Sequence, residues 1–237
     1  MVGGAQLHAG QWRLISDTPQ PTSVSLLIDG PADAPATLVL AHGAGAPMDS
    51  PFMAAIATGL AGRGWRVLRF EFPYMARQRL SGRKAAPDGL AKLLDCFRAL
   101  VAEAAAQGPL IVGGKSLGGR VASLLVDELA PQGVRGCLCL GYPFHPPGRP
   151  NQLRTDHLAA LAAPTLILQG ERDPFGRREE VTTYPLSPQV RVEWIPNGDH
   201  SFKPTRASGR SEIDNWEEAI QRADRFFQEL LAGSTAR

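Results

Sequence analysis

Short runs of branched apolar residues alternate with longer segments of helical periodicity along most of this chain. That alternation restricts the fold more than any other feature. Thr37–Ala41 (TLVLA), Trp65–Phe70 (WRVLRF), Leu110–Gly113 (LIVG), Gly136–Leu140 (GCLCL), Thr165–Leu168 (TLIL) and Val190–Ile195 (VRVEWI) are brief and bounded by Gly or Pro, as strands are. An earlier pair, near Trp12–Ile15 and Val24–Ile28, reads as antiparallel strands at the sheet's edge. Ser50-Pro51 has the signature of an N-cap and first turn, predicting a helix to about Ala61. Leu90, Leu93, Leu94, Phe97, Leu100 and Val101 recur at helical spacing, as do Val121, Leu124, Leu125 and Leu129 after Ser116. Near the C-terminus, Ile213, Trp216, Ile220, Phe226, Phe227, Leu230 and Leu231 form an apolar stripe suited to core packing. Strands alternating with helices at this spacing imply right-handed crossovers. The expected fold is therefore α/β, with a mostly parallel, doubly wound sheet of about eight strands covered on both faces. No repeat, low-complexity tract or linker divides the chain, so its 237 residues read as a single domain.

Composition narrows the partners. Lys and Arg total 25 against 23 Asp and Glu, a formal net charge of +2, which gives no global field for nucleic acid or an anionic membrane. No apolar run approaches the roughly 18 residues of a membrane span; the longest, Leu158 to Leu168, is broken by Pro164. The start of the chain lacks a charged stretch followed by an apolar block, so no secretory signal is expected and the cytoplasm is the expected compartment. Cys96, Cys137 and Cys139 are too few and too odd in number for a disulfide framework, and the last two read as buried thiols.

Open parallel sheets bind ligands beyond the carboxyl ends of their strands. After Leu110–Gly113 comes GGKSLGGR, in which Gly114, Ser116 and Gly118 form a G-x-S-x-G between a strand and a helix. That is the setting of a nucleophile elbow, whose turn is so tight that side chains two positions either side of the serine would clash. Two rival readings fail on spacing. A phosphate-binding loop ending in Gly114-Lys115-Ser116 would need glycine where Pro109 stands, and would have the strand inside the loop. Gly43-Ala44-Gly45 resembles the start of a dinucleotide fingerprint, but Met48 occupies the third glycine position.

A serine hydroxyl needs a base, and the base an orienting group. Asp173 lies in the loop after Thr165–Leu168 and His200 in the loop after Val190–Ile195, giving the chain order Ser116, Asp173, His200. Asp199 and Glu171 are the alternative acids, and Asp173 could instead cap the turn before Pro174. Of two backbone amides for an oxyanion, Leu117 supplies one and the turn His42-Gly43-Ala44-Gly45 the other, Ala44 before Gly45. His42 reads as a residue that ties this turn down, and the histidines lack metal-ligand spacing, so neither metal nor cofactor is expected. The Asp173 charge is expected to raise the His200 pKa above its ordinary value.

These motifs resemble the α/β-hydrolase superfamily. The HGAG after a strand, the GGKSLGGR elbow, GERDPFG and NGDHSF are similar to a small lidless, dienelactone-hydrolase-like branch of predicted bacterial hydrolases. RFEFPYM (Arg69–Met75) and GYPFHPPGRPNQLRTDHL (Gly141–Leu158) resemble it too. Animal relatives of that branch include a subunit of the NSL histone-acetyltransferase complex. The resemblance spans Pro35 to the C-terminus and implies an eight-stranded fold with Ser116, Asp173 and His200 in the roles above, but no particular substrate. Lys115 beside the nucleophile departs from commoner esterases. Only a short cap, about 141–164, separates two sheet strands where lidded relatives carry a helical domain. Tyr74, Met75, Met48, Tyr142 and Phe144 follow strand ends and either line an acyl pocket or simply pack.

The expected activity is hydrolysis of a carboxylic ester or thioester by a monomer or small homo-oligomer, with no nucleic-acid or membrane partner. A hydrolase-fold scaffold without turnover, or a peptidase or amidase, are the alternatives. Arg77, Arg79, Arg83 and Lys84 follow a strand with no acid between Pro73 and Ala86, and the cap adds Arg149 and Arg154. They read as a solvated basic surface or as a cationic mouth for an anionic acyl donor.

Overall fold

The computed structural model describes residues 26–233. The proposed strand Trp12–Ile15, and the start of Val24–Ile28, lie outside them. The strands are β1 (Leu26–Asp29), β2 (Thr37–Ala41), β3 (Arg66–Phe70), β4 (Leu110–Lys115), β5 (Val134–Leu140), β6 (Thr165–Gly170) and β7 (Val190–Ile195). The described sheet therefore has seven strands, in the order β1-β3-β2-β4-β5-β6-β7. Only β1, at the edge, runs antiparallel to its neighbour β3; the other pairs are parallel.

The strands are apolar on both faces because both are covered. Leu38 and Leu40 of β2, Ile111 of β4, and Leu138 and Leu140 of β5 enter one core. Its other wall is the helices α1 (Pro51–Ala61) and α6 (Glu212–Ala232). Their alternates Val39, Ala41, Val112, Cys137 and Cys139 enter the opposite core, with α3 (Leu90–Ala104) and α4 (Leu117–Leu129). Cys137 and Cys139 are buried free thiols, as the apolar run suggested.

Helix boundaries follow local signals unevenly. Pro51 opens α1, but the Ser50 side chain makes no cap hydrogen bond; only its carbonyl serves, accepting from Ala54 N at 2.9 Å. Helix α6 is closed by a box in which Ser211 Oγ accepts from Asp214 N and the Asp214 carboxylate accepts from Ser211 N. Ile213 does not belong to the buried stripe: it is 72% exposed on the first turn, whereas Phe227 is fully buried. Two helices escape the sequence reading. Pro73–Ser81, which carries Arg77 and Arg79, is α2, and Arg178–Val181 is a one-turn α5. Helix α2 buries only Tyr74 and Met75, too few residues for a visible periodicity, and ends at Gly82 in the left-handed conformation.

The segment 141–164 between β5 and β6 contains one 3₁₀ turn, Asp156–Ala159, and no α-helix, so this segment supplies no helical lid. Phe227→Ala is expected to cost about 3–5 kcal/mol of stability, as a large-to-small change in a closed core. Ile213→Ala should stay within about 0.5 kcal/mol. Denaturant titration of the two variants checks both, and equal shifts would contradict this assignment of the buried face.

Candidate active site

Strand β2 lies between β3 and β4, pairing Ala41 with Gly114, so the turns that follow β2 and β4 sit side by side. Between β4 and α4 the chain reverses within one residue. Ser116 has φ 52° and ψ −112°, a left-handed conformation that L side chains rarely adopt. The flanking glycines are required by space. A Cβ at Gly114 would lie 2.4 Å from the Gly118 carbonyl carbon, and one at Gly118 2.6 Å from the carbonyl oxygens of Ala41 and His42. Helix α4 thus rests directly on the ends of β2 and β4, and Ser116 is left half-exposed at its head.

His200 and Asp173 meet this serine. Ser116 Oγ and His200 Nε2 are 2.9 Å apart, and His200 Nδ1 and Asp173 Oδ2 are 2.8 Å apart. Asp173 is fully buried, and its charge is met from three sides. Oδ2 also accepts from Gln169 Nε2 at 2.9 Å, and Oδ1 accepts from Phe175 N at 2.9 Å. Gln169, at the end of β6, escaped the sequence reading; its own Oε1 accepts from Tyr142 N, which fixes the orientation of its amide. The alternative acids are engaged elsewhere. Asp199 Oδ1 accepts from Ser201 N and Lys203 N, and Glu171 binds Asn197 N and Arg178.

The His200 pKa lies below its ordinary value, contrary to the expectation from Asp173 alone. Burial is the largest cause; the hydrogen bond to Asp173 opposes it, and the Lys115 cation adds to it. The Phe175 ring, stacked on the imidazole at 4.3 Å between centroids, contributes to that burial. A neutral imidazole with its proton on Nδ1, donated to Asp173, leaves Nε2 free to accept from Ser116.

A second serine–histidine contact has the opposite polarity. Ser123 Oγ lies 2.9 Å from His157 Nε2, but its hydroxyl donates to Arg120 O, so His157 must donate to the serine. Ser123 is fully buried within α4, and among the described residues no carboxylate hydrogen-bonds His157. This pair fastens the 3₁₀ turn to α4.

The turn after β2 is held from beneath. Phe72 N donates to His42 Nε2 at 3.1 Å, so the proton sits on Nδ1, which donates to Gly43 O at 2.7 Å. The Tyr74 hydroxyl lies 3.3 Å from Gly43 O and 3.2 Å from Ala44 O. A trans peptide points its N–H opposite its C=O, so the Ala44 amide faces away from both rings, on an exposed residue. A Cβ at Gly43 would be 3.6 Å from Ser116 Cβ, which sets the adjoining Ala44 near the serine. Leu117, half-exposed, follows the serine as the first residue of α4.

The aromatic residues expected around a pocket are placed differently. Tyr74, Tyr142 and Phe144 are fully buried, and Met75 and Met48 are 2% and 4% exposed. The Tyr142 hydroxyl donates to Arg154 O, and Phe144 packs on Tyr142 and Tyr184. These side chains support the turn and the cap from within the core and present no lining to solvent. The basic stretch is likewise partly neutralised: Arg77 pairs with Asp88, and Arg79 with both Glu71 and Asp49. Arg154 is half-buried, and its guanidinium pKa is lowered by burial and by neighbouring Arg120.

Residues 34–228 match the family described as the alpha/beta hydrolase domain, and the chain belongs to that family. Solved structures share the fold. A lidless α/β serine hydrolase from Xanthomonas campestris is 20% identical, covering 94% of this chain and 98% of that one, with a TM-score of 0.65. A dienelactone hydrolase from Anabaena variabilis is 21% identical over 94% and 99% of the two chains, with a TM-score of 0.66. Est1E from Butyrivibrio proteoclasticus is 16% identical over 94% and 99%, with a TM-score of 0.65.

Two outcomes follow from the geometry. Gly118→Ala should lower stability by about 2 kcal/mol or more, since the added methyl meets strand backbone that cannot swing aside; an unchanged denaturation midpoint would contradict the close packing of the elbow. A base must be neutral to accept a proton, so any Ser116-dependent rate should rise with pH through the His200 pKa. The depressed pKa puts the midpoint of that rise in kcat/KM below about 6.5. A midpoint above that value would show that Asp173, not burial, dominates.

Proposed function

We propose that this protein is a serine hydrolase that cleaves a carboxylic ester or thioester through an acyl-enzyme. The observation that carries the reading is the unbroken hydrogen-bond chain from Ser116 Oγ through His200 to a buried, fully satisfied Asp173. In this reading Ser116 Oγ attacks the carbonyl carbon while His200 Nε2 takes its proton. The displaced electron pair moves to the carbonyl oxygen, where the Leu117 and Ala44 amides stabilise it. Collapse breaks the bond to the alkoxide or thiolate, which leaves with the proton from His200. Water, deprotonated by the same imidazole, then attacks the acyl carbon, releasing the acid and restoring the serine. Asp173 holds the Nδ1 proton throughout and stabilises the imidazolium.

The absence of an α-helix in 141–164 supports a small-molecule substrate entering an open site. Proton transfer from Ser116 to His200 needs no cofactor. Ser116→Ala is expected to abolish fluorophosphonate labelling and to lower kcat for short p-nitrophenyl esters on the order of 10⁴-fold or more. Ser123→Ala, folded, should still label. Labelling that survives in Ser116→Ala and disappears in Ser123→Ala would overturn the assignment. A native protein that neither labels nor turns over esters would favour a scaffold.

A further inference from the structure

Lys115 is the last residue of β4 and precedes the serine directly, yet its side chain reaches a different loop. Only 7% of the residue is exposed, and Nζ donates to the backbone carbonyl of His200 at 2.6 Å. Gly141 makes room for this contact. It has φ 65°, and a Cβ there would lie 2.7 Å from His200 O and 3.0 Å from Lys115 Nζ. The ends of β4 and β5 and the loop after β7 therefore converge on one ammonium group. We propose that Lys115 is a positioning residue for the base: it anchors the His200 loop through that carbonyl and so sets the imidazole against Ser116. This rests on the triad reading above.

The surroundings exclude an ordinary ion pair. Asp173, from the loop after β6, and Asp199, from the loop after β7, are the carboxylates whose charge Lys115 feels, but neither hydrogen-bonds it. From α1 comes the uncharged ring of Phe52, with its centroid 5.6 Å from Nζ. His200 itself faces the lysine, whose cation reduces the imidazole's affinity for a proton. The hydrogen bond from Lys115 is to the residue that carries the base.

Burial pulls the Lys115 pKa down to about 8. Its folded pKa is thus below its unfolded one, so the unfolded chain binds more protons between about pH 8 and 10.5 and stability rises with pH across that window. At neutral pH the charged lysine weakens the fold. A buried charge that weakens the fold fits a role at the triad better than a role in packing.

The experiment compares the full chain with Lys115→Met and Lys115→Arg. Three readouts are needed: steady-state hydrolysis of a short p-nitrophenyl ester, the NMR titration of the His200 imidazole, and thermal melting at pH 7. For Lys115→Met the expected results are a kcat lower by roughly 10-fold or more, a KM within about twofold, a His200 pKa moved upward, and a melting temperature unchanged or higher. Lys115→Arg, which keeps charge and donors, should recover part of kcat. Native kcat and an unmoved imidazole pKa in Lys115→Met would overturn the proposal, as would lost activity that tracks a lower melting temperature without a change in that pKa. The imidazole titration needs no turnover, so it tests the Lys115–His200 contact even if the native protein hydrolyses no ester. Failure of the triad reading itself shows in the Ser116→Ala labelling instead.

Discussion

Everything at the site depends on how closely α4 approaches the ends of β2 and β4. Gly114 and Gly118 remove the two Cβ atoms that would hold the helix away, and Ser116 takes up the turn in a conformation few L residues adopt. The strain is local, of order 1–3 kcal/mol for such a residue, and the surrounding sheet over-determines it. Register then does the rest. Because Ala41 pairs with Gly114, the turn after β2 arrives beside the serine, and His42 and Tyr74 hold its carbonyls from the core side. The exposed face of that turn is left to its amides.

Elements whose chemistry is written in neighbouring residues were legible. The strands and the long helices α3, α4 and α6 follow from periodicity, α1 from Ser50-Pro51 at its start, and Ser116 from glycines two positions away. That His200 and Asp173 meet Ser116 was legible because open parallel sheets gather their loops at strand ends, and few candidates stand there. Helix α2 was not, since only Tyr74 and Met75 of its residues are buried and the rest give no apolar stripe. The residues beyond the strand ends stay open in the sequence for a related reason. Beyond the end of a strand the two-residue alternation stops, so sequence does not say whether Tyr142 or Phe144 turns inward. Both do, fully.

Lys115 shows a different limit. It is adjacent to the nucleophile in sequence, but its partner carbonyl lies 85 residues away, and no local pattern announces that contact. The pKa of His200 was misjudged on the same ground. Its acid partner is readable from chain order, whereas its burial depends on Phe175 and on the loop's seating against Gly141. Pairwise charge was visible in the sequence and desolvation was not, and desolvation is the larger of the two here.

The two buried charges flanking His200 act in opposite senses. Asp173, saturated with hydrogen bonds, favours a proton on the imidazole; Lys115, on the backbone side, disfavours it. Partial burial strengthens both influences: Asp173 alone would hold a proton on the imidazole, and Lys115 alone would push it off. Together they leave burial as the deciding influence, and the ring stays an uncharged acceptor at neutral pH. Asp173 still fixes the tautomer, because that depends on the directed Nδ1–H bond rather than on net field. Asp173 therefore acts on both orientation and proton affinity, and burial together with Lys115 offsets the second. A carboxylate that aligns an imidazole through Nδ1 need not hold it protonated where burial outweighs its pull.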